Sequence, residues 1–216
     1  PSSSSAASDV YKRQDDGEIL TRHGGTFKGY FKDEKSTREV IDEEGWLHTG
    51  DVGEITERGS LIITDRKKDI IMTSGGKNVS PSEIENKIKA SPFIKDALVV
   101  GDRRKFLSCL VAIEFETVSN WALRKKIPFT TYRDLTEKSE VRELVSKEII
   151  RANEETSSLQ VRKFELIPKE LDHEDGELTA TQKIKRNVII EQFSELVESM
   201  YKYCLLYTSD AADDEL

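Results

Sequence analysis

The chain is short of cysteine, of long apolar runs and of excess positive charge, and each shortage removes a class of protein. Only Cys109 and Cys204 occur in 216 residues. With Cys204 in an end segment set apart below, no disulfide framework can form, and a reducing compartment is expected. No apolar run approaches the length that spans a bilayer. Forty-one acidic residues outnumber 33 basic ones, for a net charge of −8. General nucleic-acid binders draw their affinity from neutralising phosphates, so this balance argues against that class. No internal repeat is present.

The two ends differ from the body. "PSSSSAASDVYKRQ" and "CLLYTSDAADDEL" carry no periodic apolar pattern. One choice of codons for Ser4–Gln14, reverse-complemented and read one base along, encodes Cys204–Asp213 followed by Asp or Glu. Transposon-type sequencing adapters leave inverted repeats of this kind. Residues 1–14 and 204–216 are therefore expected to be adapter-derived and are set apart from fold reasoning. The body, 15–203, is expected to be a piece of a longer protein, of one domain or a domain plus part of another.

Within that body the first third reads as short strands and turns: "GEIL" (17–20), "VGEIT" (52–56) and the strand in "RGSLIITDRKKD". Between them "DEKSTREVIDEEG" (33–45) reads as a short helix closed by Gly45. The charge run "DRKKD" (65–69) has no core-forming residue and marks a boundary. Beyond it Ser80, Pro81 and Glu83 predict a helix start with a Ser cap, Pro in the first turn and a capping box. Ile84 and Ile88 follow on one face. Strands "KDALVVG" and "LSCLVAIEF" flank a hairpin "DRRKF". Helices are expected near Val118–Lys126 and Glu137–Glu155, then a strand "VRKFELIP" and an amphipathic helix over 185–201. The mixture predicts an α+β unit, a small β-sheet covered by helices.

Three stretches could carry chemistry. "GWLHTGD" (45–51) sets Asp51 on a glycine-bearing turn. It reads either as an Asx turn or as a carboxylate placed to accept both hydrogen bonds of a ribose diol. His48 reads as a packed or surface histidine, with no second His or Cys near it to make a metal cluster. In "DRKKDIIMTSGGKNVSPSEIE" (65–85), Gly75 and Gly76 suit either a β-hairpin turn or a close backbone approach to a ligand. The spacing of an ATP phosphate loop is absent. "GELTATQKIKRN" (176–187) places Lys183, Lys185 and Arg186 behind small polar residues: a solvated helix start, a nucleic-acid patch, or one lysine with a chemical role.

Taken in order, "GWLHTGD", "RKKDIIMTSGGKNVSPSEIE" and "LTATQKIKR" resemble the adenylate-forming acyl-CoA synthetase superfamily, in the variants of long-chain fatty-acid–CoA ligases. "TFKGYFKDEKSTREVIDEEGWLHTGD" is similar to the approach to the active site in that group. The resemblance implies a terminal segment of the N-terminal adenylation domain over 15–67, a β-rich remnant, followed by a small mobile C-terminal domain over 68–203. It implies a fatty acid, ATP and CoA as substrates, with Mg2+ in the intact enzyme. The acid first forms an acyl-adenylate, then the CoA thiol displaces AMP. Carried over by motif, Asp51 holds the ribose hydroxyls and Arg66 supports the nucleotide. Lys68 falls at the hinge and Lys183 is the lysine of the adenylation step. Gly75, Gly76 and Lys77 face the CoA arm in the thioester step, and no metal ligand falls in this stretch.

The chain departs from the wider superfamily at two points. Thr181-Gln182 stand where Ser-Gly usually precedes the lysine, as also happens in long-chain members, and Lys68 replaces a common Asp. The phosphate loop, the adenine-binding strand and the acyl tunnel lie upstream in the family, so the piece is expected to be inactive alone. Two other readings stand. One keeps the superfamily with a medium-chain, aryl or amino acid substrate. The other is a small module binding RNA or another anion, but acidic residues interrupt every basic run and the lysine loop holds no aromatic. A cytoplasmic location is expected. A lipid substrate is compatible with peripheral membrane association, although the last helix lacks the cationic polar face of a membrane-surface helix.

Overall fold

The computed structural model describes residues 10–156 and 159–202. It divides into two compact units, one ending at Ile70 and one beginning at Ile71, a few residues past the boundary expected at Lys68.

The first unit is an antiparallel sheet of β1 (Val10–Arg13), β2 (Glu18–Arg22), β3 (Leu47–Ile55) and β4 (Leu61–Arg66), in that order. Residues 10–13, set apart in the sequence reading, form strand β1. They pair with β2 from Val10 opposite Arg22 to Arg13 opposite Ile19. The outer edge of β2 offers backbone groups to any β-prone segment, and Val-Tyr-Lys-Arg is one. The rest of the two set-apart ends, 1–9 and 203–216, lies outside the described residues. Helix α1 (Glu34–Val40) starts where the Asp33 carboxylate accepts the Ser36 N–H at 3.0 Å. It stops short of Gly45, because the Asp42 carboxylate accepts the N–H groups of Glu44 and Trp46. That local turn competes with the helical ladder. A 3-10 turn, Lys67–Asp69, closes the unit.

The second unit opens with a two-stranded hairpin, β5 (Ile71–Met72) and β6 (Asn78–Val79), and helix α2 (Pro81–Lys89). Its centre is a three-stranded sheet ordered β7 (Ile94–Val100), β8 (Leu107–Ile113), β9 (Val161–Leu166). β7 and β8 are antiparallel, whereas β8 and β9 are parallel. Helices cover both faces. Ala97, Val99, Cys109 and Val111 pack with Ile84 and Ile88 of α2 and with residues of α3 (Phe115–Arg124) and α5 (Ser139–Glu154). Leu98, Val100, Leu110 and Ala112 pack instead against α6 (Arg186–Gln192) and α7 (Ser194–Lys202), through Ile189, Val197 and Met200. A strand buried on both faces needs an unbroken apolar run, which is what β8 has.

Three local expectations change. Ser80 stands at the N-cap of α2 and Pro81 at its first turn, but the Ser80 side chain makes no capping bond. Glu83 pairs with Lys87 one turn on, at 2.8 Å. A short helix α4 (Tyr132–Thr136) was not foreseen, although Thr131 caps it through the Asp134 N–H. The single last helix is two, because Phe193 leaves helical geometry at φ −105, ψ 27. The chain is α+β as expected. No helix among the described residues is long and apolar enough to cross a membrane.

Candidate functional site

Asp51 lies inside β3 and not on a free turn. Where β2 pairs with β3 the register shifts between Glu18 and Leu20, so the extra residues of β3 bulge outward around Gly50, whose φ is +69. A bulge of this kind re-aims the following side chain. Asp51 faces Arg66 across the β3–β4 ladder, and its Oδ1 accepts the Arg66 Nε–H at 2.9 Å. The structure thus brings the two expected nucleotide residues together, with the second Asp51 oxygen left for another donor. Lys68 sits exposed in the 3-10 turn that follows.

Beneath the bulge is a residue that motif reading passed over. Glu18 is buried, and its Oε1 accepts the Gly50 N–H at 3.1 Å. Its Oε2 accepts from the Lys67 ammonium at 2.9 Å and meets His48 Nδ1 at 3.4 Å. Burial alone would raise the Glu18 pKa, but Lys67, the Gly50 N–H and His48 together hold it below its ordinary value. The bonds to Asp16 and Glu18 in turn hold the Lys67 ammonium's pKa up. His48 therefore packs into a polar cluster. The only signal in the sequence was an acidic residue set among the apolar ones of "GEIL".

In the second unit, Thr73–Lys77 form the tight turn of the β5–β6 hairpin. Thr73 N–H donates to the Lys77 carbonyl at 3.0 Å, and Gly76, at φ +73, donates to Thr73. Gly76 is thus needed by the turn itself. A Cβ on Gly75 would meet nothing within 4 Å, so the chain's own packing does not require that glycine. Lys77 is exposed. The hairpin is braced from below: the Arg103 N–H donates to Met72 O, the Ser74 N–H to Arg104 O, and the Asp102 carboxylate accepts the Met72 N–H.

Lys183 closes a second tight loop. Leu178 and Ile184 bridge its base. Thr179 N–H donates to the Lys183 carbonyl at 2.8 Å, and Thr179 Oγ1 accepts the Lys183 N–H at 3.0 Å. The backbone of Lys183 is fully engaged, whereas its side chain is exposed and has no ion-pair or hydrogen-bond partner among the described residues. A positioned, unneutralised ammonium can stabilise developing negative charge. Lys185 and Arg186 do not both point to solvent as a helix start would have it. Arg186 pairs with the buried Glu85 at 2.7 Å, and burial pushes the Glu85 pKa up against the pull of Arg186.

Two other groups are set aside by their surroundings. Asp172, Asp175 and Glu177 lie close enough to hold a cation, but the Lys169 ammonium already bridges Asp175 and Glu177, so these residues do not fit a metal. Cys109 is buried on β8, and burial pushes its thiol far above the range where a thiolate forms, which leaves it a packing residue.

Residues 68–204 match the family of the AMP-binding enzyme C-terminal domain. Among curated relatives, the long-chain-fatty-acid–CoA ligase FadD15 of Mycobacterium tuberculosis is 39% identical over 189 residues, covering 87% of this chain and 31% of the relative. The long-chain-fatty-acid–CoA ligase ACSBG1 of Homo sapiens is 34% identical over 205 residues, covering 86% of this chain and 28% of the relative. The chain spans about a third of the length of the curated relatives it matches. Among solved structures, the adenylation domain of a carboxylate reductase from Mycobacterium chelonae superposes with a TM-score of 0.71 at 24% identity. It covers 86% of this chain and 27% of that one, and shares the fold.

Proposed function

Because the chain belongs to the family of AMP-binding enzyme C-terminal domains, we propose that it is the C-terminal part of a long-chain fatty-acid–CoA ligase. The whole enzyme would join fatty acid and ATP into an acyl-adenylate with release of pyrophosphate, then pass the acyl group to the CoA thiol with release of AMP. The observation that carries the reading is Lys183: a backbone locked on both sides, with a free ammonium at the tip. Two relatives named as long-chain-fatty-acid–CoA ligases, 39% and 34% identical to this chain, support the choice of acid.

Each residue has a separate task in this proposal. As the carboxylate attacks the α-phosphate, charge builds on the phosphate oxygens, and the Lys183 ammonium meets it there. Asp51 keeps one oxygen on Arg66 and offers the other to the ribose hydroxyls. Lys68, at the end of the first unit, serves as the hinge. Gly75 leaves open space above the hairpin for the pantetheine arm of CoA, Gly76 makes the turn that creates it, and Lys77 stands near the CoA phosphates. Mg2+ would accompany ATP, with no ligand to it assigned in this chain. We place the enzyme in the cytoplasm, with peripheral attachment to a membrane consistent with a lipid substrate.

Lys183→Ala in the intact ligase tests the reading. Adenylation, followed by ATP–pyrophosphate exchange, is expected to fall by about 100-fold or more, the scale of losing a main charge stabiliser. Thioester formation from supplied acyl-adenylate is expected to continue. Equal loss of both half-reactions would refute the role of Lys183.

A further inference from the structure

The loop that carries Lys183 is anchored on both sides, and the two anchors differ. On the entry side Glu177 is fully buried, with one oxygen on Lys169 and the other on the Asp172 N–H, while its carbonyl accepts the Lys185 N–H at 2.8 Å. On the exit side Arg186 turns inward from the first residue of α6. Its Nη2 donates to Glu85 Oε1 at 2.7 Å and its Nη1 to the Val99 carbonyl at 2.9 Å. The same Glu85 oxygen accepts the Val99 N–H at 2.8 Å.

Val99 belongs to β7, an outer strand of the β7-β8-β9 sheet. Among the described residues no strand neighbours its outward N–H and carbonyl, and a carboxylate and a guanidinium stand in for one. The side chains are 10% and 19% exposed, and charge-assisted bonds in such a site are strong and weakly screened. The result is a closed triangle of Glu85, Arg186 and Val99 that leaves the exit of the lysine loop little freedom.

We infer that the Glu85–Arg186 pair is the positioning element of Lys183: it pins the lysine loop to the sheet edge and thereby sets where the ammonium stands during adenylation. The inference rests on the function proposed for Lys183. Glu85 lies on α2, which begins just after the hairpin bearing Gly75, Gly76 and Lys77. The same pair therefore ties the loop used in the first half-reaction to the element carrying the loop used in the second. Neither Glu85 nor Arg186 touches a substrate; both act through Lys183.

The test compares half-reactions in the intact ligase. Arg186→Lys keeps the charge but gives up one arm of the fork. Glu85→Ala removes the acceptor, while Glu85→Gln keeps an oxygen that can accept both bonds. Arg186→Lys and Glu85→Ala are expected to lower the adenylation kcat about tenfold or more, the scale of a small misplacement of a reacting group. The KM for ATP and the thioester rate from supplied acyl-adenylate should stay within about twofold, and Glu85→Gln should recover most of the adenylation rate. A parallel fall of both half-reactions, or adenylation unchanged in Arg186→Lys, overturns the inference. Should Glu85→Ala fail to fold, Arg186→Lys and Glu85→Gln carry the same decision. Lys183→Ala run alongside separates the two ideas. If it spares adenylation, the proposed function fails. If it abolishes adenylation while Arg186→Lys does not lower it, only the positioning role fails.

Discussion

Gln182, the residue before Lys183, holds a left-handed backbone at φ +58. A side chain with a Cβ is strained there, whereas glycine is not. This gives a physical reason why a glycine commonly fills that place in the superfamily that the motif resembles, and why the long-chain variant is the less comfortable solution. Gln182→Gly is expected to stabilise the second unit by up to about 1 kcal/mol, since the relief of strain exceeds the added chain entropy. Urea unfolding followed through Trp121, which packs against the core of that unit, reads it out. An unchanged or lower midpoint would argue against strain at this residue. The loop that carries Lys183 was legible in the sequence, because its neighbours along the chain build it. Arg186, only three residues on, was not. Its partners Glu85 and Val99 are remote in sequence, and a basic residue at a helix start looks the same whether it faces water or a buried carboxylate.

At the scale of elements, Glu18 decides how β2, β3 and the turn after β4 are joined. It takes the Gly50 N–H from the bulge and the Lys67 ammonium from the turn. Removing it in Glu18→Ala leaves the half-buried Gly50 N–H without its acceptor and should destabilise the first unit by about 1 kcal/mol. The sign of the pH dependence follows from its depressed pKa. Glu18 contributes its stabilisation fully above its ordinary value of 4.5 and loses it as pH falls through the lower value of the folded state. The first unit should therefore weaken on acidification from pH 4.5 downward, more steeply in the native chain than in Glu18→Gln. Melting curves of the two proteins across that range measure the difference, and identical slopes would remove Glu18 as the cause. Strand periodicity made β7 and β8 legible as elements, and Pro81 marked the start of α2. The break at Phe193 was not legible, since the apolar spacing runs through α6 and α7 without interruption.

The whole molecule is two units with very unequal cores. Among the described residues of the first, Ile19, Leu20 and Trp46 are the buried apolar side chains. The second buries apolar residues on both faces of its sheet. A small sheet with so little buried surface has marginal stability by itself. Urea unfolding is expected to show two transitions, the first reported by Trp46 in a Trp121→Phe chain and the second by Trp121 in a Trp46→Phe chain. Coincident midpoints would show a single cooperative unit. What the sequence by itself determined is what depends on neighbours along the chain: the strands and longer helices of the second unit, the α+β class, the hairpin and lysine loops, and the motifs that align with a family. What only the tertiary structure decided is what depends on groups far apart in sequence. That set includes the pairing of β1 with β2, the burial of Glu18 under Gly50, and the meeting of Glu85 with Arg186 at Val99. A buried charge is stable only where folding delivers its partner, and no local pattern records which partner will arrive.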